Sequence, residues 1–148
     1  MPSAPPTQLC RRALLGNALF SCTAGATLAV LPSTIATWIQ LNPPWVLRAV
    51  GLGVLVFSWL VASAGTRPRL RTNEVLLVSL ADCAWVLGTA LLLTRWPATL
   101  NATGQAAAVA IASVVAGFAI AQVTGLKRYL AETGPDLDSS RGCLAGGK

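Results

Sequence analysis

The chain contains no histidine, and that gap removes several kinds of chemistry. A histidine-ligated haem is excluded, as is any zinc arrangement of the H-E-x-x-H type. Charge is scarce too: 5 acidic and 11 basic residues in 148, or 11% charged. Soluble domains carry about 25% charged residues, so a large wetted surface is not in prospect. The 4 cysteines, Cys10, Cys22, Cys83 and Cys143, include no C-x-x-C pair. Metal centres need several Cys, His or carboxylate ligands at close spacing, so neither a metal nor a cofactor is expected. The G-x-x-x-x-G-K-[ST] and G-x-S-x-G signatures are missing as well. With no nucleophile–base pair to assemble, the chain reads as non-enzymatic.

What the chain has in quantity is apolar residues, 54% of the total, with a mean hydropathy of +0.63. They come in blocks rather than stripes, and a helix apolar all round is buried in a large protein or sits in lipid. This chain is too short to bury four such helices in its own core. A bilayer crossing needs ~20 mostly apolar residues, and four segments qualify: about 13–31, 45–64, 75–94 and 105–126. Pro32, Pro43-Pro44, Gly65, Arg95-Trp96-Pro97 and Lys127-Arg128 punctuate them, where helix stops and starts belong. The expected architecture is all-α, an antiparallel bundle of four transmembrane helices within residues 13–130. A proline-rich arm (1–12) would precede it, and a polar, disordered tail (131–148) would follow.

The net charge of +6 raises the question of nucleic acid, but the basic residues sit between hydrophobic blocks rather than on one face. Arg11 and Arg12, then Arg67, Arg69 and Arg71, then Lys127 and Arg128 fall on one side of the four-span order, leaving Arg48 and Arg95 on the other. The positive-inside rule puts the richer side, and both termini, in the cytoplasm. Trp38, Trp45 and Trp96 would form the outer aromatic belt, with Tyr129 at the inner surface. Cys10-Arg11-Arg12 and Leu19-Phe20-Ser21-Cys22 loosely match a twin-arginine signal and a lipoprotein box. Phe20 is bulky for a cleavage point and the apolar run continues past Cys22, so the first span is expected to stay as an anchor.

Asp82 is the one acidic residue deep inside a span. A carboxylate there is costly, and intramembrane ionisable groups are functional candidates by default. At ~1.5 Å per residue it lies ~10 Å from the cytoplasmic edge, level with Ser58 and Trp59 at ~8–9 Å, Asn17 and Gln122 at ~6 Å and Ser21 at ~12 Å. Within its own span Ser79, Asp82, Trp85 and Thr89 share a stripe. The expected site is a polar cluster of Asp82, Asn17, Ser21, Ser58, Trp59, Trp85 and Gln122, with Ser58 or Trp59 donating to Asp82. The plainer alternative is packing glue, since interhelical hydrogen bonds of this kind contribute ~0.6–2 kcal/mol each.

The fourth span carries small residues at four-residue spacing, Gly104, Ala108, Ala112 and Ala116 in one series and Ser113, Gly117, Ala121 and Gly125 in another. Such faces let helices approach closely. One face serves the bundle, and the second is expected to receive a partner protein or a second copy. A faint repeat pairs Asn17 and Phe20 with Asp82 and Trp85, and Trp38 and Asn42 with Trp96 and Asn101. Asn101-Ala102-Thr103 also matches a glycosylation pattern, in a loop too short and membrane-hugging to use it.

Asn17-Ala-Leu-Phe-Ser21, the run Arg48 to Phe57 and the run Asp82-Cys-Ala-Trp85-Val-Leu-Gly88 resemble segments of small, uncharacterised four-helix bacterial inner-membrane proteins. The resemblance covers most of residues 13–126, implies a bacterial inner membrane and carries no activity. The leading expectation is a non-enzymatic accessory or assembly subunit, or a small homo-oligomer packed through the fourth span. The alternative is a small transporter or ligand-binding membrane protein built on the Asp82 cluster.

Overall fold

The computed structural model describes residues 6–67 and 71–133, which are helical almost throughout. Helix α1 covers Pro6–Val30, α2 Pro32–Ile39, α3 Trp45–Thr66, α4 Thr72–Arg95 and α5 Ala102–Thr133, with a 3-10 turn at Pro97–Thr99. Within these, Gln8–Val30, Trp45–Thr66, Thr72–Arg95 and Ala102–Ala131 are long and apolar enough to cross a bilayer. Their outward faces are apolar to match: Leu19, Leu77 and Leu87 are each about 70% exposed. The protein is an all-α, four-helix bundle of the multi-pass membrane class.

Two boundaries differ from expectation. Residues 6–12 already belong to α1 rather than to an arm, and Cys10 is wholly buried in the core. At the other end α5 continues to Thr133, because Lys127–Ala131 are mostly good helix formers with no breaker among them. The rest of the expected tail, the first five residues, Arg69 and Cys143 lie outside the described residues.

Helix α2 is an element the block pattern did not reveal. Pro32 stands at its first turn, where a missing N–H costs nothing, so the proline both ends α1 and begins α2. Gln40 closes it in the left-handed region (φ 57°), its N–H on the Ala36 carbonyl, a normal way to satisfy a helix end.

Helix α1 takes the largest share of the packing. It packs along α3 on one side and α5 on the other, and α4 packs along α5. Two glycines, Gly25 and Gly51, meet where α1 crosses α3. A Cβ on Gly51 would stand 2.7 Å from the Ala29 nitrogen and 2.8 Å from the Gly25 carbonyl oxygen, so the two backbones are in direct contact. On the α5 side, Gly125 lies against Cys10 and Gly16 against the Phe118 ring.

Helices α3 and α4 scarcely touch. They are tied at the basic end, where Arg67 pairs with Glu74 at 2.8 Å and Arg11 Nη2 donates to the Arg67 carbonyl at 2.8 Å. At the tryptophan end Asn101 forms a clasp. Its Nδ2 donates to the Trp38 carbonyl, its Oδ1 accepts from Gly104 N–H at the start of α5, and its own N–H bonds the Ile39 carbonyl. Trp38, Trp45 and Trp96 are all exposed there. The bundle is therefore closed along α3/α1, α1/α5 and α5/α4, and open along α3/α4.

Candidate functional site

The polar centre is built by α1, α4 and α5. Asn17 Nδ2 donates to Asp82 Oδ2 at 2.7 Å, and Gln122 Nε2 donates to the same oxygen at 3.2 Å. Two serines complete the chain: Ser21 Oγ donates to Asn17 Oδ1 at 3.2 Å and Ser79 Oγ to Gln122 Oε1 at 2.9 Å. All five side chains are buried, Asn17 and Gln122 completely. No buried side-chain N or O lacks a partner among the described residues, which is what burial in an apolar setting demands.

Local helix geometry explains the grouping. Asn17 and Ser21 are one turn apart on α1, and Ser79 and Asp82 one turn apart on α4, so each pair shares a face. Gln122, on α5 between those helices, reaches both Ser79 and Asp82.

Of the residues that height along the helices groups, Asp82, Asn17, Ser21 and Gln122 are joined by hydrogen bonds, and Ser58, Trp59 and Trp85 are not part of that network. Ser58 is buried, yet its hydroxyl turns back to the Leu55 carbonyl at 2.8 Å. Trp59 is 69% exposed on the outer face of α3. Neither donates to Asp82, because height along a helix says nothing about rotation around it. Gly51, Ser58 and Gly65 fall at seven-residue spacing on α3, and the two glycines face α1; that stripe points away from α4. Ser79 is the member the height estimate passed over, although it shares the Asp82 stripe.

Beside the polar centre, the open α3/α4 side leaves a cleft of about 390 Å³. Phe20 and Ser21 of α1, Gly53 and Phe57 of α3, and Asp82 and Trp85 of α4 line it, with aliphatic residues filling the remainder. Gly53, Ala81 and Trp85 are exposed and mark its mouth between the two helices. Trp85 thus belongs to the cleft rather than to the hydrogen-bonded network. A Cβ on Gly53 would meet nothing within 4 Å, so the glycine leaves room in the wall. The size and the mostly apolar lining with a few convergent polar groups fit small-molecule sites, which run to about 300–1,000 Å³.

The second small-residue series of α5 is divided. Gly125 is buried against Cys10, Ala121 is half-buried, and Ser113 and Gly117 face outward, Gly117 with open space beside it. Cys22 and Cys83 also face outward, and no group of three or more metal-ligating side chains occurs among the described residues.

Fold and site together define a multi-pass membrane protein, a four-helix bundle with an acid at its polar centre. Set against family models, curated proteins and solved structures, the chain matches none.

Proposed function

We propose that this protein is a non-enzymatic membrane protein that binds a small lipophilic molecule in the cleft between α3 and α4, as a carrier or small transporter. One observation carries the reading: the bundle is open between α3 and α4, and Asp82 is in the wall of that opening. A chain needing only interhelical glue has no use for a gap beside its most costly side chain. An accessory or assembly subunit docked through α5 is less well supported, since Gly125 is already spent on Cys10 and only part of that series stays outward.

The setting follows from charge. Arg11, Arg12, Arg67, Arg71, Lys127 and Arg128 lie at one end of the bundle, and Arg48 and Arg95 toward the other. The positive-inside rule and the resemblance of the span motifs support a bacterial inner membrane with both termini in the cytoplasm.

The test is extraction. Parent protein and a Gly53→Phe variant, purified alike from native membranes in mild detergent, are extracted with organic solvent and compared by mass spectrometry. A lipophilic compound held near stoichiometrically by the parent and lost from the variant is the expected result. Identical extracts would remove the cleft as a binding site.

A further inference from the structure

We infer that the molecule taken by the cleft is a lipophilic amine, its ammonium on Asp82 and its apolar body between the aromatic walls. This rests on the cleft reading above and specifies its ligand.

Asn17 and Gln122 both aim an amide N–H at Asp82 Oδ2. The Ser21 and Ser79 hydroxyls are committed to the two amide oxygens. Oδ1 of Asp82 takes no bond among the described residues, and since no fully buried polar atom there lacks a partner, it is not sealed off; Asp82, 2% exposed, lines the cleft. Ser21 lines it as well, and its oxygen, having donated its proton, can still accept. With Asp82 ionised, what the network turns toward the cleft is acceptor capacity, and a ligand that fits it brings a donor.

Charge narrows the class. No lysine or arginine lines the cleft; the described basic residues lie toward the helix ends. An acid held in an apolar setting with amide partners alone is poorly compensated as an anion, and a cationic donor supplies the missing charge where the dielectric is low. A carboxylate ligand would meet a like charge, and an alcohol would bring a donor without charge. Phe20, Phe57 and Trp85 add faces to which an ammonium is attracted.

The test uses decylamine, decanol and decanoate, which share a chain and differ in the head group. Binding is measured by titration calorimetry on the full-length protein in neutral-detergent micelles, against micelle blanks, with folding of each variant checked by circular dichroism. Decylamine should bind the parent about tenfold or more tightly than either analogue, the scale of a hydrogen bond to a charged group. Asp82→Asn should bring decylamine down to the level of decanol. Gly53→Phe should abolish binding of all three.

Absence of decylamine binding, equal binding of the three compounds to the parent, or an amine preference that survives in Asp82→Asn would each overturn the amine. The three-compound comparison on the parent decides the matter even if Asp82→Asn folds poorly. If Gly53→Phe removes binding while the amine preference is missing, the cleft stands and only the ligand class is wrong. If Gly53→Phe binds all three as the parent does, the cleft reading itself fails.

Discussion

Asn17 Nδ2 lies 2.7 Å from Asp82 Oδ2, and this bond between residues 65 apart in the chain ties α1 to α4. The two helices otherwise make little direct contact, because α5 packs against both. Gln122 of α5 bonds the same oxygen, so three helices meet at one atom.

Replacement of Asp82 separates hydrogen bonding from charge. Asp82→Asn keeps an oxygen for Asn17 and Gln122 and should unfold close to the parent temperature. Asp82→Leu leaves two buried amide donors without their acceptor, at a cost of about 1–3 kcal/mol each. Thermal unfolding in neutral detergent, followed by circular dichroism, should show the Leu variant clearly destabilised. A Leu variant as stable as the parent would mean that the network does not hold the bundle.

Two of the buried serines, Ser79 and Ser58, should answer differently to alanine. Ser79→Ala strips Gln122 Oε1 of its donor and should cost about 1 kcal/mol. Ser58→Ala loses only a bond to the backbone of its own helix and should be nearly neutral. Reversed outcomes in the same melts would contradict the arrangement described.

Glycines of α3 and α5 offer a second contrast. At Gly51 an added methyl group runs into the backbone of α1, which cannot swing aside as a side chain would. Gly51→Ala should therefore destabilise by about 1–3 kcal/mol. At Gly117 the space is open, so Gly117→Ala should be neutral or stabilising by up to about 1 kcal/mol through helix propensity. Melting temperatures that move together would show that the α1/α3 crossing is looser than its geometry.

Asn101 tests the tryptophan end. Asn101→Ala removes both the cap on α5 and the bond to Trp38, and a lost cap costs about 0.5–2 kcal/mol. Faster amide hydrogen exchange at Gly104 and through α2 should report the loss. Because Asn101 Nδ2 is engaged with the Trp38 carbonyl, the parent should keep its unmodified mass when made in a glycosylating host.

The four spans were legible because lipid imposes a coarse rule, about 20 apolar residues per crossing, which tolerates errors of several residues at each end. Four residues of the polar centre were legible for a related reason: rise per residue converts directly into depth. Neighbour order was not legible. Ser58 stands at a similar depth to Asp82, but whether α3 packs on α1 or on α4 depends on the Gly25–Gly51 contact, and a pair of glycines 26 positions apart carries no local signal. The same uncertainty hid the cleft, which exists because α3 committed its small-residue stripe to α1. Of the residues paired by the faint repeat, Asn17 and Asp82 are bonded to each other, and Phe20 and Trp85 both line the cleft.

The unsealed side between α3 and α4 also bears on how affinity would be measured. A molecule arriving sideways between two lipid-facing helices is drawn from what is dissolved in the bilayer, not from water. Its effective concentration is then the aqueous concentration multiplied by its membrane partition coefficient. Across a homologous series of amines the apparent aqueous dissociation constant should fall with chain length as partitioning rises, while occupancy plotted against membrane mole fraction stays nearly constant until the chain outgrows the cavity.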